Sequence, residues 1–581
     1  MCGIAGIISR QGIGQNELAL MESMLQTQHH RGPDHSGSTQ LSNQVLFGHN
    51  RLSIIDLSEA ADQPFYSEDQ RYSIIFNGEI YNYVELKEAL QPHYNFQTSS
   101  DTEVLLAAYI HWGAEALDWL IGMFAFVIFD KEANTLFMAR DRFGVKPFYY
   151  AFKDNGDLLF ASEIKTLHAA GIPKKENEGL WAAYLTKGRY QYKNQTFWAG
   201  VHQLEAGHYA SFSLSEFPNT IQATKWYHFV ERIQALRADQ AYTNRTNEEH
   251  LQHYKALLED SIWLRFRADV PVGFNISGGL DSSTLLGAVH QLLPTDSIEA
   301  FTFYCDDERY DELPWVQKLI AETNKSLNTV LLEVDHIPTL TEKVGYFQDE
   351  PYGGIPTIAY SQIFEAARKK GVIVLLDGQG MDEAWAGYDY YHKDSDSVVQ
   401  GVKSSPLRVN ALTEAFKAEA KIEDYPKPFE EELLNKQYRD LFYTKIPRAL
   451  RFNDRVSMIH STELREPFLD HRMVEYAFAL PASLKQQDGQ VKWALRQLAS
   501  EYLQSDLLLA PKRPLQTPQR EWLTENLLEW VEKSVLALKQ HPWFNAEALQ
   551  QEWEEFKQSE KDNTFFLWQW LSVHEKAIHN R

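Results

Sequence analysis

A short apolar strand, a glycine turn and the start of a helix follow one another between residues 272 and 289. The turn, residues 277–283, reads Ser-Gly-Gly-Leu-Asp-Ser-Ser, and the apolar residues after it have helical rather than alternating spacing. Glycines let the backbone approach a ligand, and the unpaired amides and the dipole at the start of a helix favour an anion. The segment therefore predicts a turn that binds phosphate.

The aspartate of this turn changes what the turn is expected to bind. No Lys-Ser or Lys-Thr pair follows the glycines, so the turn is not of the Walker type. Asp281 by itself would repel a phosphate, which indicates a Mg2+ ion between its carboxylate and the phosphate. A plain glycine turn in an α/β sheet is the alternative. Three serines and an aspartate within seven residues favour a nucleotide site.

From residue 247 onward, helical and strand-like patterns alternate, which indicates a parallel sheet covered by helices on both faces. Ligands of such sheets lie beyond the carboxyl ends of the strands. One of the later strands runs directly into residues 377–383, Asp-Gly-Gln-Gly-Met-Asp-Glu. This second loop of glycines and acids is expected to close over the same nucleotide.

Length and charge restrict the organisation of the chain and its partners. With 581 residues the chain is too long for one core, and about two to four domains are expected. A net charge of −24 argues against nucleic acid and against an anionic membrane surface as partners. No apolar run has the length of a membrane span, and no signal-peptide pattern is present. The two cysteines, Cys2 and Cys305, fit a reducing cytoplasm.

The two cysteines lie in different contexts. Cys305 follows an apolar strand-like run and is expected to be a buried structural thiol. Cys2 becomes the first residue when Met1 is removed, and its own α-amino group, with a pKa of ~7.7–8.0, then serves as base for the thiol. Position 2 alone does not distinguish such a nucleophile from an incidental cysteine in a buried first strand.

Up to about Phe212 the chain consists mainly of short β-like runs, one of them at residues 52–55, interrupted by three helical patterns. This mixture predicts stacked antiparallel sheets flanked by helices, an αββα sandwich of the α+β class. We place this domain at residues 2–212 and a linker at 213–246. The α/β domain, with a doubly wound, mainly parallel sheet and a helical C-terminus, is placed at 247–581.

Polar motifs that a core does not need lie between the β-like runs. They are Cys-Gly-Ile at residues 2–4, His-Arg-Gly-Pro-Asp at 30–34, Arg-Leu-Ser-Ile at 51–54, Asn-Gly-Glu-Ile-Tyr-Asn at 77–82 and Ser-Asp-Thr-Glu at 100–103. In this order they resemble the glutaminase domain of the N-terminal-nucleophile (class II) glutamine amidotransferases.

This resemblance implies a set of roles for individual residues. Cys2 would be the nucleophile that attacks the side-chain amide of glutamine. Asn77, through its side chain, and Gly78, through its backbone N–H, would form the oxyanion hole. The implied glutamine-binding residues are Arg51 for the α-carboxylate and Asp101 and Glu79 for the α-ammonium. For Arg51 and Asp101 the alternative is a surface ion pair.

The turn at 277–283 and the loop at 377–383 resemble the synthetase domain of glutamine-dependent asparagine synthetases. Those enzymes are ATP pyrophosphatases that activate a carboxylate as an acyl-adenylate. The likeness continues through residues 451–458, 463–470 and 492–496, so that with the first domain it covers nearly the whole chain. It implies ATP and Mg2+ as cofactors.

The second resemblance also assigns residues. Asp281 and Asp382 would lie near the Mg2+ and the pyrophosphate, and Lys492 would face the phosphates and the reacting acyl group. A solvated helix face is the alternative for Lys492. Phe303 would pack near the adenine. The implied ATP-binding residues are Ser277, Gly278, Gly279, Asp281, Ser282, Phe303, Asp377 and Gly378.

The loop at residues 377–380 departs from the pattern of this family. Where better-known asparagine synthetases have Ser-Gly-Glu-Gly, the chain has Asp377, Gly378, Gln379 and Gly380. Gln379 forms hydrogen bonds but takes no proton from ammonium. Either another acid then serves, or the acceptor differs.

The leading hypothesis is a glutamine-dependent asparagine synthetase that uses glutamine, aspartate and ATP, with a homodimer left open. The runner-up is an amidotransferase of the same family that acts on a sugar uronate or a peptide carboxylate. A β-lactam-forming relative is disfavoured because those lack a working Cys2, which this chain keeps with its oxyanion motif. A non-catalytic sensor of nucleotide or glutamine is a further alternative, against which the retention of Cys2, Asn77, Asp281 and Lys492 argues.

Overall fold

The computed structural model describes residues 2–293, 298–392, 406–504, 517–559 and 563–579. Its N-terminal part contains two antiparallel sheets, with strand orders β10-β8-β9-β1-β3-β2 and β12-β11-β7-β6-β5-β4. In chain order the strands are β1 (Gly3–Ile8), β2 (His35–Gln40), β3 (Val45–Arg51), β4 (Phe65–Tyr66), β5 (Tyr72–Ile80), β6 (Gly122–Asp130), β7 (Thr135–Arg140), β8 (Tyr149–Phe152), β9 (Leu158–Ala161), β10 (Val201–Gln203), β11 (His208–Ser213) and β12 (Thr224–Lys225).

The two sheets stack face to face because both faces of their strands are apolar. Along β1, Ile4 and Ile8 join the core shared with the second sheet, whereas Ala5 and Ile7 pack against helices on the other side. The helices of this part are α1 (Gln15–Thr27), α2 (Tyr83–Leu90), α3 (Asp101–Trp112), α4 (Ala116–Trp119), α5 (Ile164–Ala169) and α6 (Glu178–Lys187). The predicted αββα sandwich is confirmed.

The C-terminal part is built on a parallel sheet of order β15-β14-β13-β16-β17. Its strands are β13 (Val272–Asn275), β14 (Glu299–Tyr304), β15 (Ser326–Leu331), β16 (Val374–Leu376) and β17 (Glu463–Arg465), and a small hairpin adds β18 (Gln486–Gln487) and β19 (Gln490–Val491). Apolar residues from helices cover both faces, with Leu285 and Leu286 in one core and Ile358 and Phe364 in another. The predicted doubly wound sheet is confirmed.

Helices connect and surround these strands and continue to the C-terminal end. They are α7 (Phe229–Ala238), α8 (Gln240–Thr243), α9 (Asn247–Arg265), α10 (Leu280–Leu292), α11 (Leu313–Thr323), α12 (Ile337–Gln348), α13 (Ile355–Lys369), α14 (Met381–Ala384), α15 (Glu414–Ala418), α16 (Glu432–Arg439), α17 (Ile446–Met458), α18 (His471–Ala479), α19 (Ala482–Lys485), α20 (Trp493–Ala499), α21 (Gln519–Glu521), α22 (Leu528–Leu538), α23 (Ala546–Gln558) and α24 (Phe565–His579). In the ranges given above, none of the helices is long and apolar enough to cross a membrane.

Two segments differ from what the sequence pattern suggests. The expected strand at residues 52–55 is wrong, because this segment turns so that the carbonyls of Ile55 and Asp56 face the guanidinium of Arg51. Asp56 takes a left-handed φ of 55° in that turn. Residues 213–246, expected to be a linker, contain β12 and the helices α7 and α8, and the ring of Phe229 packs 5.0 Å from that of Phe478.

Candidate functional site

Cys2 lies just before β1, buried beneath the two sheets. Its backbone nitrogen donates to Oδ1 of Asn77 at 2.9 Å, and its Sγ lies 4.0 Å from the carbonyl oxygen of Leu52. Burial raises the pKa of the thiol, while the positive charge of Arg51 acts in the opposite direction. A thiol in this position needs a nearby base before it can attack a carbonyl carbon.

Asn77 and Gly78 place hydrogen-bond donors beside Cys2. Asn77 is fully buried in β5, and its Nδ2 has no hydrogen-bond partner among the described residues. Such a buried donor is costly unless a ligand uses it. Gly78 is required by space, because a Cβ there would lie 2.1 Å from the carbonyl oxygen of Met123. The end of β5 thus has the chemistry of an oxyanion hole.

Glu79 and Asp101 form an acidic pocket at the end of the same strand. Ser100 caps α3 and holds Asp101 at its first turn, where Oδ2 of Asp101 accepts the N–H of Ile80 at 2.9 Å. Burial raises the pKa of Asp101 to about 6. Burial, with the charges of Glu463 and Asp101, raises the pKa of Glu79 well above its usual range. Two buried carboxyls in this arrangement attract a cationic group.

Arg51 is fixed by the turn that follows β3. Its Nη1 donates to the carbonyl oxygen of Ser58 and to Oδ1 of Asp62, both at 2.7 Å, and its Nη2 donates to the carbonyl oxygen of Asp56. Oxygen acceptors of its own chain therefore hold the guanidinium in place near Cys2. Because an arginine fork carries five donors, binding a carboxylate as well requires only a change of partner at one nitrogen.

The glycine turn after β13 has the form expected of a phosphate cradle. The hydroxyl oxygens of Ser277 and Ser282 lie 3.0 Å apart, and the N–H of Gly279 donates to Ser277 Oγ at 3.3 Å. Gly279 is the N-cap of α10 and has no side chain with which to cap it. A Cβ at Gly278 would lie 2.6 Å from Cβ of Trp315, so the backbone runs where no side chain fits.

Lys492 joins the two predicted metal ligands. Its Nζ lies 2.6 Å from both carboxylate oxygens of Asp281 and 2.6 Å from Oδ1 of Asp382. Burial disfavours the charged lysine, but the two carboxylates raise its pKa above the ordinary value. Lys492 takes a left-handed φ of 54° at the start of α20. Gly387 leaves room for the cluster, because a Cβ there would lie 2.1 Å from Asp382 Oδ1.

The donor set of this cluster fits a magnesium ion that is shared with phosphates. Among the described residues, no group of three or more His, Cys, Asp or Glu side chains is placed to hold a metal ion. Mg2+ in nucleotide sites needs fewer protein ligands, one or two carboxylates completed by phosphate oxygens and water. Asp281 and Asp382 supply two carboxylates beside the cradle, so the residues present fit the ion.

The loop after β16 packs directly on the cradle. Asp377 accepts a hydrogen bond from Nδ2 of Asn275 at 2.8 Å, and burial raises the pKa of its carboxyl to about 6. A Cβ at Gly378 would lie 3.0 Å from the backbone nitrogen of Ser282. Gln379, next in the loop, is half-buried. The strand-end placement predicted for both loops therefore holds in the structure.

Phe303 lies at the end of β14, on the other side of the cradle. It lines a small cavity together with Asn275, Ser277 and Tyr310. The cavity adjoins the cradle through Ser277, which both share. An aromatic wall next to a phosphate-binding turn suits a nucleotide base.

Sequence reasoning missed the charged residues that connect the two sites. Nε of Arg31 donates to the carbonyl oxygen of Cys2 at 3.0 Å, and its Nη1 donates to Glu163 at 3.0 Å and to Asp454 of α17 at 2.9 Å. From β17, Nη2 of Arg465 lies 3.5 Å from Glu79 Oε1. All of them occur in or beside motifs that the sequence singled out, but nothing in the sequence pairs distant motifs.

Family models and curated relatives match most of the chain. A family model described as glutamine amidotransferase domain matches residues 1–227, and one described as asparagine synthase matches residues 253–578. Asparagine synthetase (glutamine-hydrolyzing) 1 of Bacillus subtilis (strain 168) is 30% identical, over 98% of this chain and 95% of its own. Asparagine synthetase (glutamine-hydrolyzing) 3 of the same organism is 30% identical over 91% and 89%. Amidase chyE of Penicillium rubens is 27% identical over 90% and 89%.

Proposed function

Because the chain belongs to the asparagine synthase family and carries a glutamine amidotransferase domain, we propose that it is a glutamine-dependent asparagine synthetase. Glutamine is hydrolysed at Cys2, and the ammonia passes inside the protein to the second site. There it amidates an aspartate that ATP has adenylated, with release of AMP and pyrophosphate. The names of the two Bacillus subtilis relatives support aspartate as the acceptor.

At the first site, the Cys2 thiol attacks the side-chain carbonyl carbon of glutamine. Since burial raises the pKa of the thiol, its proton has to leave as the S–C bond forms. With Met1 removed, the α-amino group of Cys2 is the base within reach. The developing oxyanion accepts hydrogen bonds from the unpaired Nδ2 of Asn77 and from the N–H of Gly78. Collapse expels ammonia, and water then hydrolyses the thioester to glutamate.

Substrate recognition at this site follows from charge. The α-ammonium of glutamine is placed against Glu79 and Asp101, whose buried carboxyls otherwise repel each other. The α-carboxylate is placed on the guanidinium of Arg51, which the turn at Ser58 holds rigid. The site selects a ligand that carries both an ammonium and a carboxylate over a simple amide. Each charged group of the ligand loses water on binding, and an opposite charge of the protein compensates that loss.

At the second site, the residues bind and orient the nucleotide. The serine hydroxyls of the cradle and the amides at the start of α10 receive phosphate oxygens, and Lys492 contributes a positive charge that does not depend on pH near neutrality. A bound Mg2+, held by Asp281 and Asp382, would neutralise phosphate charge during departure of pyrophosphate. The acceptor carboxylate forms its bond to the α-phosphorus. Ammonia then attacks the acyl carbon, and the electron pair of the C–O bond leaves with AMP.

One observation carries the proposal. The pairing of Lys492 with Asp281 and Asp382 lies beside the glycine turn, in the same chain as a buried cysteine whose backbone binds Asn77, a residue with an unpaired Nδ2. A purely structural role explains these arrangements poorly, since the unpaired donor of Asn77 is satisfied only by a bound ligand.

A second acceptor class is supported by two facts. Gln379 occupies the loop position next to Gly378, where the acceptor is expected, and a relative of similar coverage is named an amidase. We therefore test acceptors directly, by measuring glutamine-dependent AMP formation with aspartate, glutamate, sugar uronates and peptide carboxylates. Aspartate is expected to give the highest kcat/KM. Preference for a uronate or a peptide contradicts the asparagine reading, and AMP formation with none of them contradicts the synthetase assignment.

A further inference from the structure

Glu466 is a buried acid at the carboxyl end of β17, beside the loop that is expected to meet the acceptor. Strands β16 and β17 run parallel, with Leu375 opposite Leu464 and Leu376 opposite Arg465. The next residues in this register are Asp377 and Glu466, and the N–H of Asp377 donates to the carbonyl oxygen of Arg465 at 3.0 Å. Adjacent parallel strands lie about 4.8 Å apart. Glu466 therefore stands one strand away from Asp377, at the same level.

Glu466 also faces a cavity between the two halves of the chain. The cavity has a volume of about 20 Å³, enough for about one water molecule, and residues from both halves line it, among them Tyr81, Met123, Arg265 and Glu466. Met123 pairs with Glu79 across β5 and β6, and its carbonyl oxygen is the atom that leaves no room for a Cβ at Gly78. One wall of the cavity thus lies next to β5, the strand of Asn77 and Gly78, and another wall contains Glu466.

The surroundings of Glu466 hold both signs of charge. Burial raises the pKa of its carboxyl to about 8, with Asp377 and Asp454 acting in the same direction and Lys146 and Arg265 against it. Asp141, Arg142, Asp470 and His471 also line the cavity. A carboxylate with a pKa near the working pH is suited to accept a proton and release it again.

We propose that Glu466 accepts the proton that ammonia loses when it attacks the adenylated carboxylate, in the role that an acid at position 379 would otherwise fill. This inference rests on the proposed synthetase function. In the step, the N–C bond forms, the C–O bond to the phosphate breaks with its electron pair on AMP, and one N–H proton moves to Glu466. Gln379, an amide, remains free to position the acceptor.

The test compares the wild-type protein with Glu466→Gln and with the double variant Gln379→Glu/Glu466→Gln. Three readouts are taken from each protein: glutamine hydrolysis, exchange of labelled pyrophosphate into ATP with the acceptor, and amide formation from glutamine or ammonium. Glu475→Gln is the matched control, because Glu475 is also a carboxyl with a raised pKa near the domain interface but does not line this cavity.

We expect Glu466→Gln to retain hydrolysis and exchange and to lose amide formation by about 100-fold or more. The wild-type rate of amide formation should rise with pH through about 8, because Glu466 must be ionised to accept a proton. This increase of the rate with pH should be absent in Glu466→Gln. It should return, at a different pH, in the double variant. Glu475→Gln should behave like the wild type.

The outcomes separate the two claims. Suppose that the wild-type protein forms AMP, and that Glu466→Gln keeps both its rate of amide formation and its pH profile. This result would overturn the role of Glu466 but not the proposed function. The same holds if the double variant recovers nothing while its exchange activity is intact. Absence of glutamine-dependent AMP from the wild-type protein with every acceptor overturns the proposed function itself, and the role of Glu466 with it.

Discussion

Arg31 and Asp454 form a bidentate ion pair, with Nη1 2.9 Å from Oδ2 and Nη2 3.1 Å from Oδ1. The pair joins the N-terminal sandwich to α17, and both side chains are buried. Although burial favours the neutral acid, the Arg31 guanidinium holds the pKa of Asp454 below its usual range. Since Nε of Arg31 also donates to the carbonyl oxygen of Cys2, the proposed nucleophile is anchored to the other half of the chain.

Breaking this pair should therefore affect both folding and the first reaction. We expect Asp454→Asn to lower the free energy of unfolding by about 1–3 kcal/mol, because it removes one of the two buried carboxylates that pair with Arg31 and leaves Glu163 as the other. Urea unfolding measures this. The control is Glu132→Gln, which removes an exposed partner of Arg71 and should change stability by less than about 0.5 kcal/mol. If the two variants lose the same free energy of unfolding, the ion pair of Arg31 and Asp454 does not stabilise the contact between the two halves of the chain.

Cys2→Ala separates the two reactions. The variant should lose glutamine hydrolysis completely, because thiol and base belong to one residue, and should keep amide formation from added ammonium salts. Glutamate release and AMP formation are measured side by side, with glutamine and with ammonium as nitrogen source. Glutamine-dependent turnover in Cys2→Ala contradicts the assignment of the nucleophile.

Asp101 predicts how glutamine binding depends on pH. Burial raises the pKa of its carboxyl to about 6, so that the group is neutral below this pH and charged above it. Only the charged form attracts the α-ammonium of glutamine. We expect KM for glutamine to increase as the pH falls through about 6, with a smaller change in kcat. Asp101→Asn should raise KM about 10- to 100-fold above pH 6, as expected for a lost charge-assisted hydrogen bond. Below pH 6 its KM should approach that of the wild type, so that the pH dependence of KM disappears in the variant. A KM that is independent of pH in the wild type places the ammonium elsewhere.

Local sequence was sufficient for the parts of each site that lie within one motif. The turn at 277–283 contains its strand, its glycines and its helix start, and the structure has β13 and α10 on either side of it. The same is true of Asn77 and Gly78, which lie in one strand. In both cases neighbouring residues in the chain fix the geometry, through backbone hydrogen bonds and the space that glycine leaves.

Contacts between distant motifs could not be predicted in this way. The approach of Lys492 to Asp281 spans 211 residues, and the contact of Arg31 with Asp454 spans 423. Such contacts depend on strand order and on how the sandwich packs against α17. The error at residues 52–55 has a local origin instead, because the side chain of Arg51 binds the carbonyl oxygens of Ile55 and Asp56, and alternation of apolar residues does not indicate such a turn.

Asp281→Asn tests the second site. The variant should lose pyrophosphate release by about 100-fold or more, since a charged ligand worth several kcal/mol is removed from the phosphates. Glutamine hydrolysis in the same preparation is the internal control and should persist. If Asp281→Asn releases pyrophosphate at the wild-type rate at saturating Mg2+, the turn has only a structural role.

Gln379 is where this chain departs from the better-known synthetases, and its substitution tests the choice of acceptor. Gln379→Glu should be tolerated or mildly activating with aspartate, because the positive charge of Lys492 and of a bound Mg2+ offsets one more carboxylate. Gln379→Leu should lose the acceptor step, since leucine leaves a polar group of the acceptor unpaired at a cost of about 1–3 kcal/mol.

The measurements are kcat/KM for aspartate in all three forms, with the yields of pyrophosphate and of AMP followed separately, because adenylation releases pyrophosphate and amide formation releases AMP. An unchanged AMP yield with a lower kcat/KM places the loss in binding of the acceptor. Suppose instead that Gln379→Glu abolishes turnover while Gln379→Leu behaves like the parent. Residue 379 then does not contact the reacting carboxylate, and a sugar uronate or a peptide becomes the better acceptor.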